Sequence, residues 1–247
     1  MRYVRELDRA LEEAVERSLK DIDAFALLFS GGLDSSLLAK LCMDIGKKPT
    51  LISVYMEGSG DSSHVKAAAS LLNLELIERV MVPDEIPRLV EEALKVVSTA
   101  NHLDVSIAVP LYAALETAVW SGFKDAMVGQ GADELFAGYH RYLMMDGESL
   151  AKALEKDAKD INIARDAAIA RSLGIRLLTP YLDVKVVELG LSIPVDLKIK
   201  DGERKHVLRE VARKRGLPEE ICSREKKAIQ YSTGVDKILR KGRKKKT

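Results

Sequence analysis

The chain has 247 residues, a formal charge of +1, 47% hydrophobic and 31% charged residues. That is ordinary for a soluble globular protein, and near-neutrality weighs against a surface built wholly for polyanions. Aromatics make up only 5%, so Leu, Val, Ile and Ala must build the core, and two distant cysteines, Cys42 and Cys222, exclude a disulfide framework, a zinc ribbon and a cysteine-held iron–sulfur cluster.

Val4, Leu7, Leu11, Ala14, Val15, Leu19 and Ile22 recur at helical spacing and predict an opening amphipathic helix. It is rich in acids, so it reads as neither a signal nor a transit peptide. No apolar run is expected to span a bilayer, and the expected compartment is the cytosol. The run Ala24–Ser30 predicts a strand buried on both faces; it ends at Gly31-Gly32 and a helix follows. Gly46 and Pro49 close that helix before a second strand, Thr50–Glu57. Asp61 stands at a helix start, a third strand covers Leu74–Val82, and a helix runs from Asp84 to Val97. Leu103–Trp120 is apolar and mostly helical, with Pro110 expected near a helix start. Asp125–Gly131 predicts a fourth strand running into another glycine turn.

Strands alternating with helices predict a doubly wound parallel sheet. After Tyr142 the pattern is helical throughout: Asp146–Leu173 as one long or broken helix, then helices near Asp183–Leu191 and Glu203–Arg215. The expected organisation is an α/β domain over 1–142, a helical portion over 143–239, and a basic tail over 240–247. That tail carries six positive charges and no acid, leaving −5 for the rest. Such a tail is usually solvated; an RNA contact is the lesser reading.

Ligands of open parallel sheets sit beyond the carboxyl ends of the strands. Ser30-Gly-Gly-Leu-Asp-Ser-Ser36 occupies such an end, where helix-start amides and the hydroxyls of Ser30, Ser35 and Ser36 offer an anion site. Gly31 and Gly32 allow close backbone approach by a phosphate. No Gly-Lys-Ser/Thr follows, so this is not a Walker A loop, and it lacks the third glycine of a dinucleotide fingerprint. Asp34 would repel phosphates unless a cation such as Mg2+ bridged them; a helix cap is its alternative role.

Ser30–Ser36 resembles the pyrophosphate loop of the N-type ATP pyrophosphatases, which cleave ATP between the α- and β-phosphates. Gly129-Gln-Gly-Ala-Asp-Glu-Leu-Phe-Ala-Gly-Tyr139 is similar to the GxGxDExFxGY signature of the asparagine synthetase synthase domain. The later segments agree in order. Thr179-Pro-Tyr-Leu-Asp183 resembles RxPFLD, Lys205-His-Val-Leu-Arg-Glu210 resembles KxxLR, Leu217-Pro-Glu-Glu-Ile221 resembles LPEEI, and Arg224-Glu-Lys-Lys227 resembles RxK. The resemblance implies a doubly wound sheet of the adenine nucleotide α-hydrolase-like (HUP) type. It implies ATP and Mg2+, with Asp34 and Asp133 as metal carboxylates and Lys226 reaching the phosphates, Lys227 being the other register. Ser30, Gly31, Gly32, Leu33, Asp34, Ser35 and Ser36 would cradle pyrophosphate. Adenine would lie near Leu28, Phe29, Val54 and Tyr55, with the backbone of Val128 and Gly129 on its other side. Asp61 and His140 read as a helix cap and a partly buried structural histidine.

The implied reaction is formation of an acyl-adenylate and pyrophosphate from a carboxylate, followed by displacement of AMP by nitrogen. No glutaminase domain is expected on this chain, so free ammonia, an amine or a separate glutaminase would supply nitrogen. Gln130 stands where the family often has an acid, and Arg176 and Leu178 where it commonly places an acid four residues before the proline of RxPFLD and an arginine two before it. These positions are expected near the acceptor, which therefore stays open. A tRNA-modifying ATP pyrophosphatase and a non-catalytic ATP-binding protein are the competing readings. The charge and the absent CxxC weigh against nucleic acid. A homo-oligomer is compatible with the sequence, which specifies no interface.

Overall fold

Short apolar runs can hide both faces only inside a covered sheet, and that constraint sets the architecture. The computed structural model describes residues 2–58, 62–97, 102–161 and 163–224. Five strands, β1 (Ala26–Leu28), β2 (Thr50–Met56), β3 (Leu76–Met81), β4 (Asp125–Met127) and β5 (Arg176–Leu178), form one parallel sheet in the order β3-β2-β1-β4-β5. The doubly wound sheet read from the sequence is the fold observed. The fifth strand was not foreseen. Three residues carry too little pattern to read, and β5 exists because β4 offers it partners: Arg176 N–H donates to Lys124 at 2.8 Å and Val128 N–H to Leu178 at 2.9 Å.

Alternate strand residues face opposite layers. Leu27, Leu51 and Met127 join the core under α1 (Arg2–Ser18), α2 (Leu33–Asp44) and α3 (Ser62–Leu72), while Ala26, Ile52, Val54 and Ala126 face the other core. That second layer is α4 (Ile86–Val96), α5 (His102–Trp120) and α8 (Ile163–Ser172). The stretch read as one long or broken helix is broken, into α7 (Gly147–Lys159) and α8. Between β4 and α7 lies the single-turn α6 (Ala132–Leu135). Beyond β5 come α9 (Val184–Ser192), α10 (Val195–Lys198), the hairpin β6 (Ile199–Lys200) and β7 (Glu203–Arg204), α11 (His206–Lys214) and α12 (Glu219–Cys222).

Two expectations need correction. Pro110 lies inside α5, not near a start. Leu103–Trp120 within that helix is long and apolar enough to cross a membrane by composition, contrary to the sequence reading, but 72% of it is buried inside the fold, as in a core helix. Its apolarity answers to neighbouring helices and the sheet.

The first helix is tied to the chain's far end. Asp8, 7% exposed on α1, accepts from Lys214 and Arg215, and Arg215 also reaches Glu12 at 2.7 Å and Asp44 at 2.9 Å. Lys198 is a different case: it is 2% exposed, and burial pushes its ammonium down to about 8 from 10.5. Between those two pH values the unfolded chain holds a proton on this residue that the folded chain has lost, so the contribution of Lys198 to stability climbs with pH across that window and is flat below it. Lys198→Met is therefore expected to raise the unfolding free energy at pH 7 by roughly 3 kcal/mol, at about 1.36 kcal/mol per pH unit, and this gap between the two proteins is expected to close as pH rises from 8 to 10.5. Urea denaturation of both proteins from pH 7 to pH 10.5 measures it.

Candidate active site

The strand order reverses between β1 and β4, and the crevice beyond their carboxyl ends is where open sheets bind ligands. Both glycine turns emerge there. After β1, Phe29 N–H still pairs with Ile52 at 2.8 Å, and then the chain turns through Gly31 at φ +67° into α2. The α2 N-cap is Gly32, which offers no side chain to cap the first turn. Its leading amides are the ones a helix leaves without internal acceptors, and they face the crevice end of the dipole. Ser30 Oγ and Ser35 Oγ lie 3.3 Å apart. Ser36 Oγ is buried and has no hydrogen-bond partner among the described residues, a cost that a polar group entering the loop would relieve.

Asp34 is not a cap. It is the second residue of α2, 9% exposed, and its carboxylate is turned onto a lysine. Lys205 Nζ donates to Asp34 Oδ1 and Oδ2 at 2.6 Å each and lies 2.7 Å from Asp133 Oδ1. Lys205 is 3% exposed and adopts the left-handed conformation, φ 57°, just before α11. Acids this deep need cations against them, and here two carboxylates from different turns converge on one. A divalent ion fits the same donor pair: Mg2+ takes one or two carboxylates and completes its shell with phosphate oxygens and water. Among the described residues no cluster of three His, Cys, Asp or Glu is placed to hold a metal by protein groups alone.

The surrounding motifs set this geometry. Gly131, at φ +93°, leaves room for Leu182, whose Cδ2 would lie 2.3 Å from any Cβ there. A Cβ on Gly138 would stand 1.9 Å from Asp133 Oδ1 and 2.3 Å from Lys205 Cε. Gly129 approaches Asp34 to 3.3 Å by the same measure. The Thr179–Asp183 segment props both turns. Tyr181 is fully buried and donates to the Asp34 carbonyl at 3.0 Å; burial, with Asp34 and Asp133 nearby, pushes its phenol well above its ordinary value and keeps that donor protonated. Asp183 caps α9 and pairs with Arg17 of α1 at 2.8 Å. Arg209, one turn beyond Lys205, donates to the carbonyls of Arg204, Cys222 and Arg224. It thereby binds the last described residues to the helix that follows the lysine. Tyr139 donates to Glu134 at 2.5 Å, and burial beside that acid raises its phenol.

The structure thus brings together Ser30, Gly31, Gly32, Leu33, Asp34, Ser35, Ser36, Gly129 and Asp133. Leu28 and Val54 lie at the carboxyl ends of adjacent strands, on the α5 face, half-buried and buried respectively. Lys226, Lys227 and Asp61 lie outside the described residues. His140 is exposed rather than partly buried. Arg176 is corrected too. It opens β5 at the amino-terminal end of the sheet, where its Nε meets Asp125 at 2.5 Å, and so stands away from the crevice. Lys205 and His64 were missed as site residues. Lys205 stood in a segment singled out only for its order, and its signal was chemical: two buried carboxylates require a cation.

The sequence profile described as asparagine synthase matches residues 6–168 and 158–245. A putative glutamine-hydrolyzing asparagine synthetase of Methanocaldococcus jannaschii is 33% identical over 97% of this chain and 51% of its own length. Asparagine synthetase B of Escherichia coli is 27% identical over 93% of this chain and 45% of its own. The chain spans about half the length of the curated relatives it matches. An NMN synthetase from Francisella tularensis shares the fold, with TM-score 0.52, 12% identity, and coverage of 96% of this chain and 86% of that one.

Gly138→Ala is expected to displace the Asp133 carboxylate and cost at least about a hundredfold in any activity dependent on it, the scale of a misplaced catalytic group. Gly174→Ala, at φ +68° with open space around it, would cost stability alone. Parallel activity and thermal-melt measurements on the two variants separate these effects.

Proposed function

Because this chain belongs to the asparagine synthase family, we propose that it is an ATP pyrophosphatase-type ligase that activates a carboxylate and transfers it to nitrogen. A carboxylate oxygen of the acceptor attacks the α-phosphorus of ATP, pyrophosphate leaves, and the acyl-adenylate then yields an amide and AMP to ammonia or an amine. The observation that carries this reading is the convergence of Asp34 and Asp133, from turns at the sheet's crossover, onto the Lys205 ammonium.

The chemical demand is charge on the departing pyrophosphate. Loop amides of Gly32, Leu33 and Asp34 and the hydroxyls of Ser30 and Ser35 provide pre-oriented donors, which lower the barrier because they need no reorganisation as charge develops. Asp34 and Asp133 would hold Mg2+, which when bound neutralises phosphate charge. Lys205 adds a fixed positive charge at the same place, and Lys226 is proposed to add another. Leu28 and Val54 would border adenine. The acceptor and the nitrogen donor are the open choices: names such as glutamine-hydrolyzing asparagine synthetase describe the relatives, and aspartate is the first carboxylate to try.

The test is direct. Protein, Mg-ATP and ammonia, with glutamine and a small amine in parallel, are incubated with a panel of carboxylates including aspartate, and AMP and pyrophosphate are quantified. Carboxylate-dependent release in equal amounts is expected. Release only with tRNA would replace the proposal by a tRNA-modifying reaction, and tight ATP binding without turnover by a non-catalytic role. Asp34→Asn and Asp133→Asn should each lower turnover at least about a thousandfold, in the range of losing a principal electrostatic group. Activity within a few fold of wild type in either variant would remove that residue from the site.

A further inference from the structure

His64 lies outside every motif above, yet its ring touches the anion loop. It sits in the first turn of α3, half-buried, with Nε2 2.7 Å from the Gly31 carbonyl oxygen. A carbonyl only accepts, so Nε2 carries the proton and donates. The contact is close-packed as well as polar: a Cβ on Gly31 would lie 2.9 Å from His64 Nε2 and 3.2 Å from Ala68 Cβ. Gly31 itself holds φ +67°, a conformation open to several alternatives in a residue without a side chain.

The peptide between Gly31 and Gly32 is planar and trans, so the Gly31 carbonyl and the Gly32 N–H point in opposite directions. Fixing one fixes the other. With its carbonyl held against α3 by His64, the peptide turns the Gly32 N–H away from α3. There, among the described residues, it meets only a long 3.4 Å contact to Ser30 Oγ, leaving it available to a better acceptor. A free Gly-Gly peptide could flip and present its carbonyl oxygen to the crevice, an arrangement repulsive to any phosphate.

We propose that His64 is a positioning residue for phosphate: by holding the Gly31 carbonyl it keeps the Gly32 N–H aimed at the anion site. The inference deepens the ATP reading above and rests on it. It concerns the pyrophosphate end of the nucleotide, whose binding does not depend on which acceptor is used.

Two substitutions separate the donor from the bulk. His64→Leu keeps apolar packing on Gly31 and removes the donor; His64→Gln retains an N–H of similar reach. Dissociation constants for Mg-ATP and for magnesium pyrophosphate are measured by calorimetry on the full chain, beside thermal melts and, with the active carboxylate, KM for each substrate. His64→Leu should weaken both ligands about tenfold, the scale of one hydrogen bond. The KM for the carboxylate should stay, and His64→Gln should recover most of the loss. Should His64→Leu not fold, His64→Asn, too short to reach Gly31, takes its place. Unchanged pyrophosphate affinity in the donor-less variant overturns the inference while leaving the ATP reading intact. An equal loss in the Leu and Gln variants, tracking a lower melting temperature, overturns it in favour of simple packing. Wild-type protein that binds neither ligand overturns the ATP reading and this inference with it.

Discussion

Everything at the crossover of this sheet is organised around one ammonium. Lys205 meets Asp34 from 171 residues away in sequence and Asp133 from a different glycine turn, at hydrogen-bonding distance in a place almost closed to water. A charge cluster at that depth tolerates little displacement, because each acid that loses its partner keeps the cost of its burial. The surrounding residues read as consequences. Gly138 is a glycine because Asp133 and Lys205 occupy the space of its side chain, and Gly131 because Leu182 does. Tyr181 spends its hydroxyl on the backbone of Asp34, and the left-handed Lys205 backbone directs a long side chain back under the sheet's end.

From that centre the fold divides its work. The sheet and its two apolar cores place two strand ends side by side; the turns then supply amides, hydroxyls and carboxylates, the groups a polyphosphate and its counter-ion need. Helices from the later part of the chain close the site from beyond β5, with Arg209 holding three backbone carbonyls and so tying α11 to the residues up to Arg224. His64 brings α3 into the same design from the other flank. Membership of the asparagine synthase family accords with this division. In the proposed reaction ATP would use the shared frame, whereas the acceptor would depend on positions such as Gln130 that can differ within the family.

Much of this was legible in order along the chain. Buried strands declare themselves as apolar runs, and Ser30–Ser36 and Gly129–Tyr139 combine glycines with acids in a way that a turn alone does not require. The misreadings have physical causes. Pro110 sits inside a helix because α5 is held by packing on a core, which overrides a local preference. Arg176, near the proline motif in sequence, is a strand's length from the crevice because β5 runs between them. That strand was illegible because three residues become a strand only when a neighbour offers hydrogen bonds.

By itself, then, the sequence determined the parallel α/β class, the two glycine turns and the acids they carry, because these rest on local periodicity and on what short segments can do alone. The tertiary structure decided which cation faces those acids, which tyrosine and glycines hold them in place, and that a histidine from a neighbouring helix grips the loop. Those are contacts between segments remote in sequence, and no local pattern encodes a distance that only the packed sheet creates.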